Sequence, residues 1–227
     1  MKTSFFCFVF FLALSAQAQR KSLDFVVGYG IPDFKIRHNN NTFLKESKSG
    51  HSYYAGFTYC KSPSKGQMAR KGYFMPSIAV DFGLSRNTGN FKRERWRKKE
   101  SYYEDILYQV YRIELGVFPK VQYQNFFALA GPTLYGPFYA TRQWESQEQY
   151  EHNMREYKNG CLALTVGLGY QYSVFSADLR YMTTLSEYGR AFRGQEFHFS
   201  ERQFRLTAAI RLFQLNKEKN SNSIFWD

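Results

Sequence analysis

Cysteine is scarce, with three in 227 residues, one of them Cys7 inside the N-terminal apolar stretch. Removing that stretch leaves Cys60 and Cys161, which excludes the dense disulfide framework of small secreted domains. Proline is low at 6 and glycine modest at 16, against 23 Phe and 18 Tyr, so collagen-like and disordered chains are excluded as well. Beyond the first 18 residues there is no apolar run of the ~20 residues that a membrane helix needs. The mean hydropathy is −0.51, with charge scattered along the chain, so a helical membrane bundle is ruled out. Histidine numbers four, at His38, His51, His152 and His198, apart from one another and without a cysteine partner. No metal site and no cofactor are expected from that spacing. Gly28-x-Gly30 and Gly167-x-Gly169 lack the third glycine and following helix of a dinucleotide loop.

What remains is an aromatic-rich, basic chain, 19% Phe, Trp and Tyr with a formal net charge of +12. Lys2, the apolar run Phe5 to Leu14 and the small residues Ala16 and Ala18 have the layout of a cleavable signal peptide over residues 1–18. With no cysteine directly after that site, no lipid anchor is expected. The rest reads in twos. Leu23, Phe25, Val27 and Tyr29 alternate with Asp24, Val26, Gly28 and Gly30; Leu162, Leu164, Val166, Leu168, Tyr170 and Tyr172 alternate with Ala163, Thr165, Gly167, Gly169 and Gln171. Similar runs cover 53–60, 73–85, 102–118, 126–135, 175–182 and 204–212, which makes eight strands. Connections 31–52, 86–101, 136–160 and 186–202 are long and polar, those at 119–125 and 173–174 are short, and 61–72 is longer than strict alternation prefers.

Alternation alone does not say which solvent lies outside. The polar parity decides, because it collects Asp24, Asp81, Glu114 and Asp178 with Arg112, Arg180, Arg205 and Arg211 among small residues. Matched acids and arginines suit a narrow interior, where buried charge has to be paired. Rows of Leu, Val, Ile and Phe ending in Tyr29, Tyr53, Tyr59, Tyr170 and Tyr172 suit hydrocarbon with aromatic girdles. The expected fold is therefore all-β, an eight-stranded antiparallel up-and-down transmembrane β-barrel over residues 19–213, with a polar C-terminal tail over 214–227. The address is the bacterial outer membrane.

VVGYG at Val26 to Gly30, FALAGPTLYG at Phe127 to Gly136, VGLGYQYSVFSADLRY at Val166 to Tyr181 and FRLTAAIRLF at Phe204 to Phe213 resemble the bacterial outer-membrane β-barrel proteins, including the PorT-like group related in architecture to OmpA-type barrels. The resemblance implies a non-enzymatic barrel that maintains the envelope or presents loops to a partner, with a lumen filled by the eight paired charges. Outer-membrane lipid and lipopolysaccharide are the expected partners, an envelope protein could dock on the long loops, and the chain is expected to be a monomer with no nucleic-acid role.

Two further features carry chemistry. Lys92, Arg93, Arg95, Trp96, Arg97, Lys98 and Lys99 form a basic run suited to an anionic lipopolysaccharide surface. His198 and Ser200, two apart on one strand face, loosely resemble the His-x-Ser of lipid A deacylases, and Glu187, Glu196 and Glu201 lie nearby in sequence. A lipid A hydrolase is thus one alternative, and a soluble lipocalin-like binding barrel is another. The strand order puts Cys60 and Cys161 at opposite rims, further apart than a disulfide spans, so both should be free thiols.

Overall fold

A computed structural model describes residues 19–38, 47–48, 50–63, 74–97, 100–144, 150–151, 160–186, 191–192 and 195–216, with only the backbone described at 19, 35–38, 47–48, 63, 91–97, 100–106, 142, 144, 150–151, 191–192, 195–199 and 216. Among the described residues, eight long strands form the molecule. They are β1 (Gln19–His38), β2 (Ser52–Pro63), β3 (Met75–Arg97), β4 (Glu100–Tyr123), β5 (Phe126–Trp144), β6 (Cys161–Tyr172), β7 (Phe175–Thr184) and β8 (Gln195–Asn216). Each pairs antiparallel with the next, and β8 pairs with β1 over nearly its whole length, from Arg20 opposite Asn216 to His38 opposite Phe197. That last pairing closes the sheet into an up-and-down barrel, so no edge strand is left unpaired.

All eight expected strands are present. Their ends differ from the expectation chiefly at one rim. β3 and β4 pair without interruption from Met75 opposite Gln122 to Arg97 opposite Glu100, so the segment 86–101, expected as a loop, is mostly a long hairpin. Likewise β8 begins at Gln195 rather than near Phe204, and it ends at Asn216, three residues beyond the expected end of the barrel. The physical reason is that beyond the apolar belt polar residues such as Asn87, Glu201 and Gln203 take the inward positions. Period-two hydrophobicity then disappears from the sequence while backbone pairing continues.

At the opposite rim two of the connections are tight. Gln124–Asn125 and Ser173–Val174 turn two strands each, with Tyr123 opposite Phe126 and Tyr172 opposite Phe175. Gln124 (φ 53°) and Ser173 (φ 55°) occupy the left-handed region usually left to glycine. Strand β5, the least regular run in the sequence, carries a bulge, since Tyr111 faces Tyr139 while the next residue, Arg112, faces Pro137.

The pleat separates two surfaces. On β6 Cys161, Ala163, Thr165 and Gly167 are buried, Gly169 and Gln171 half-buried, and every second residue from Leu162 is exposed. Outside stand Phe25, Val27, Ile113, Leu115, Leu164, Val166 and Leu206, with Leu168 70% exposed. A β6-sized strand of 12 residues is about 40 Å long and, tilted near 45°, about 28 Å tall, close to the hydrocarbon thickness of a bilayer.

Candidate functional site: the charged lumen

The lumen is built from inward positions, and these hold the charged side chains. Arg112, Glu114, Asp81, Asp178, Arg180 and Arg205 are all buried. Arg180 donates to Asp178 at 2.6 and 3.2 Å and to Asp81. Arg205 forks onto Glu114 at 2.8 and 2.9 Å. Arg112 reaches Glu114 at 3.1 Å and forks onto Glu201 at 2.5 and 3.1 Å. Around the ring β3 stands opposite β7 and β4 opposite β8. The pairs Asp81–Arg180, Glu114–Arg205 and Arg112–Glu201 therefore cross the full width of the barrel.

Neutral groups complete these acids. Ser85 donates to Glu114 at 2.5 Å, Thr58 to Asp81 at 2.7 Å and Asn87 to Glu201 at 2.8 Å, while Ser52 holds Asn87 at 2.6 Å. Two guanidinium groups also lie against rings, Arg112 at 4.2 Å from the Tyr135 centroid and Arg205 at 4.6 Å from that of Tyr54. Glycine makes room for the inward rings, since a Cβ on Gly83 would come within 2.7 Å of the Tyr54 ring. The charged layer lies between two apolar clusters. Phe34, Val110, Tyr135, Ala140, Cys161, Ala163 and Met182 form one toward the long-connection rim; Ala79, Phe118, Phe127 and Leu129 form the other below. The free space left beside the charges is about 10 Å³, on the order of one water.

Asp24 and Arg211 were expected in the same network, and the structure separates them from it. They pair with each other at 3.3 Å in a second chamber of about 630 Å³ that opens at the tight-turn rim. Arg20, Lys120, Ser22, Ser77, Gln122 and Gln214 also line that chamber.

No protein-family model matches the chain, and no curated protein matches it. Solved structures do. The chain is similar to Ail, the attachment invasion locus protein of Yersinia pestis, at 12% identity over 86% of this chain and 99% of that one, with a TM-score of 0.31. It is similar to neisserial surface protein A at 10% identity over 82% and 96%, TM-score 0.40. Its likeness to the outer-membrane protease OmpT of Escherichia coli is 6% identity over 86% and 96%, TM-score 0.38. Those are partial superpositions, and the fold assignment rests on the closed ring of pairings described above.

Sequence reasoning missed Glu201, Tyr54, Asn87 and Lys120. Glu201 fell in a segment read as loop, although its parity with Gln203 and Arg205 places all three inward once the strand is extended. That same parity corrects the grouping of Glu201 with Ser200. The Glu201 carboxylate is inside the barrel on Arg112 and Asn87, and Ser200, its neighbour along the strand, has the opposite parity. The His198 side chain, Glu187, and the side chains of Glu196 and of the basic run Lys92, Arg93, Arg95, Trp96 and Arg97 lie outside the described residues, as do Lys98 and Lys99. Cys60 and Cys161 are free thiols. His51, on the outside, accepts or donates a 2.6 Å hydrogen bond with the Tyr29 hydroxyl.

Proposed function

We propose that the chain is a bacterial outer-membrane protein whose wall is bathed by lipid and whose lumen is closed by its buried charges, with a structural or partner-presenting role and no catalytic one. The observation that carries this reading is the inversion of the two faces. Leu164, Val166, Leu168, Leu206 and Ile210 are exposed on a closed cylinder whose charges are inside. Exposed apolar patches on a soluble monomer are usually no larger than a few hundred Å², and a continuous belt of Leu, Val, Ile and Phe around a barrel is far beyond that. In hydrocarbon the belt costs nothing, and closing the ladder leaves no strand edge open to lipid.

Hydrolysis at Ser200 draws no support from Glu201, which is occupied across the lumen. The four motifs from Val26 to Phe213 favour kinship with the PorT-like group, and the long hairpin of β3 and β4 offers a surface to lipopolysaccharide or an envelope protein.

The test is fractionation of the full chain expressed in a Gram-negative host. We expect it in the outer-membrane fraction, processed after Ala18, extractable by detergent but not by carbonate, and silent in planar bilayers. Recovery in the soluble periplasmic fraction would overturn the lipid-bathed wall, and steady single-channel conductance would overturn the closed lumen.

A further inference from the structure

We propose that the chamber at the tight-turn rim binds a small phosphate-bearing solute. It is a concave site of about 630 Å³, lined by hydroxyl and amide groups together with three cations, Arg20, Lys120 and Arg211, and one carboxylate, Asp24. The charge accounting there differs from that in the layer above. Asp24 takes Nε of Arg211 at 3.3 Å. Arg20 and the other arm of Arg211 both donate to one neutral oxygen, Oε1 of Gln214. Lys120 lies 3.8 Å from the centroid of the Phe127 ring. Asp178, the next carboxylate up the lumen, has both oxygens on Arg180.

Two guanidinium groups converging on one amide oxygen, with an ammonium facing the same chamber, form a site short of negative charge. A phosphate supplies it, because its oxygens accept forked N–H donors from arginine and a point charge from lysine. Serine and glutamine groups at Ser22, Ser62, Ser77, Gln122 and Gln171 offer hydrogen bonds to the rest of a polar solute. The charged and hydrogen-bonding groups of the chamber face a space inside the barrel rather than the lipid-facing wall, which favours a dissolved molecule over a lipid headgroup. Its chemistry does not depend on what bathes the outer wall.

The probe is inorganic phosphate, titrated by calorimetry into the full chain in a neutral detergent at low ionic strength. We expect one saturable site that weakens about tenfold in Lys120→Gln and further in Lys120→Gln/Arg20→Gln, since each substitution removes a charge-assisted contact. A variant neutralising Lys92, Arg93 and Arg95 in the distant hairpin should bind as the wild type does. Absence of saturable binding, binding unchanged by the chamber substitutions, or binding of anionic phospholipid without binding of phosphate would each overturn the proposal. Should the variants fail to fold, the wild type still decides it. Cys60 lines the chamber, whereas Cys161 is buried at the other end of the barrel. Phosphate should slow the modification of Cys60 by a sulfonate-bearing thiol reagent several-fold, as read by peptide mass mapping, and an unchanged rate would reject the site.

Discussion

The middle of the lumen and the chamber below it use the same residue types toward opposite ends. In the middle, Arg112, Arg180 and Arg205 meet Asp81, Glu114, Asp178 and Glu201 with almost no free space. In the chamber, Arg20, Lys120 and Arg211 share Asp24 around a space some sixty-fold larger, from about 630 Å³ against about 10 Å³. An ion pair sealed from water has to be complete, because either partner left alone carries the full desolvation cost. Next to water the same groups can stay incompletely paired, since the solvent or a dissolved ion completes them. The difference teaches that inward charge in this barrel has two arrangements, paired across opposite walls where space is nearly absent and sharing one carboxylate where a chamber opens.

The contrast is sharpest at Arg180. Arg180→Met should destabilise the barrel by about 3–5 kcal/mol, leaving Asp81 and Asp178 buried without a cation. Adding Asp81→Asn and Asp178→Asn should recover much of that loss, and urea unfolding in micelles with all three variants measures both effects. A single variant with an unchanged midpoint would mean that the middle layer is wetter than its geometry implies. Outside the wall, Val166→Arg should cost about 2–4 kcal/mol in a bilayer. The same substitution on a barrel surrounded by water would be almost neutral, so unfolding from lipid vesicles tests what makes the middle layer dry.

Effects in the chamber should be smaller. Asp24→Asn should cost about 1 kcal/mol through its partly exposed partner Arg211 and should tighten phosphate binding, which calorimetry reads directly. Lys120→Met should leave the unfolding midpoint within about 0.5 kcal/mol of the wild type or raise it, because it removes an ammonium that lies on the Phe127 ring rather than on a carboxylate, while keeping an apolar stem there. A loss as large as that of Arg180→Met would show that the chamber is as tightly bound into the fold as the layer above.

Much of this was legible in the strands themselves. Period-two alternation within 23–30, 162–172 and 204–212 placed Asp24, Thr165, Arg205 and Arg211 on the inward parity, and burial follows that parity. Legibility failed where the apolar signal stops. From Arg86 onward β3 carries charge at both parities, and from Gln195 to Gln203 the apolar residues of β8, Phe197 and Phe199, share the parity of Glu201, so Glu201 could not be placed by hydrophobicity. Tyr53 reads as outward and is 53% exposed, but its neighbour Tyr54, 5% exposed, escaped because a tyrosine among inward small and charged residues gives no sign that its ring will lie under Arg205.

Within the alternating runs the sequence by itself determined which face each charge occupies, because side-chain direction in a strand is a local property fixed by the pleat. It also determined the inventory of eight antiparallel segments and their succession. Which acid meets which arginine was decided only by closure. Asp81 and Arg180 are 99 residues apart and Arg205 and Glu114 are 91 apart, and they meet because a ring of eight sets β3 across from β7 and β4 across from β8. The split of one set of inward charges into a dry layer and an open chamber was decided there as well, since it depends on how deep Phe118, Phe127 and Leu129 sit along the barrel axis once register and stagger are fixed.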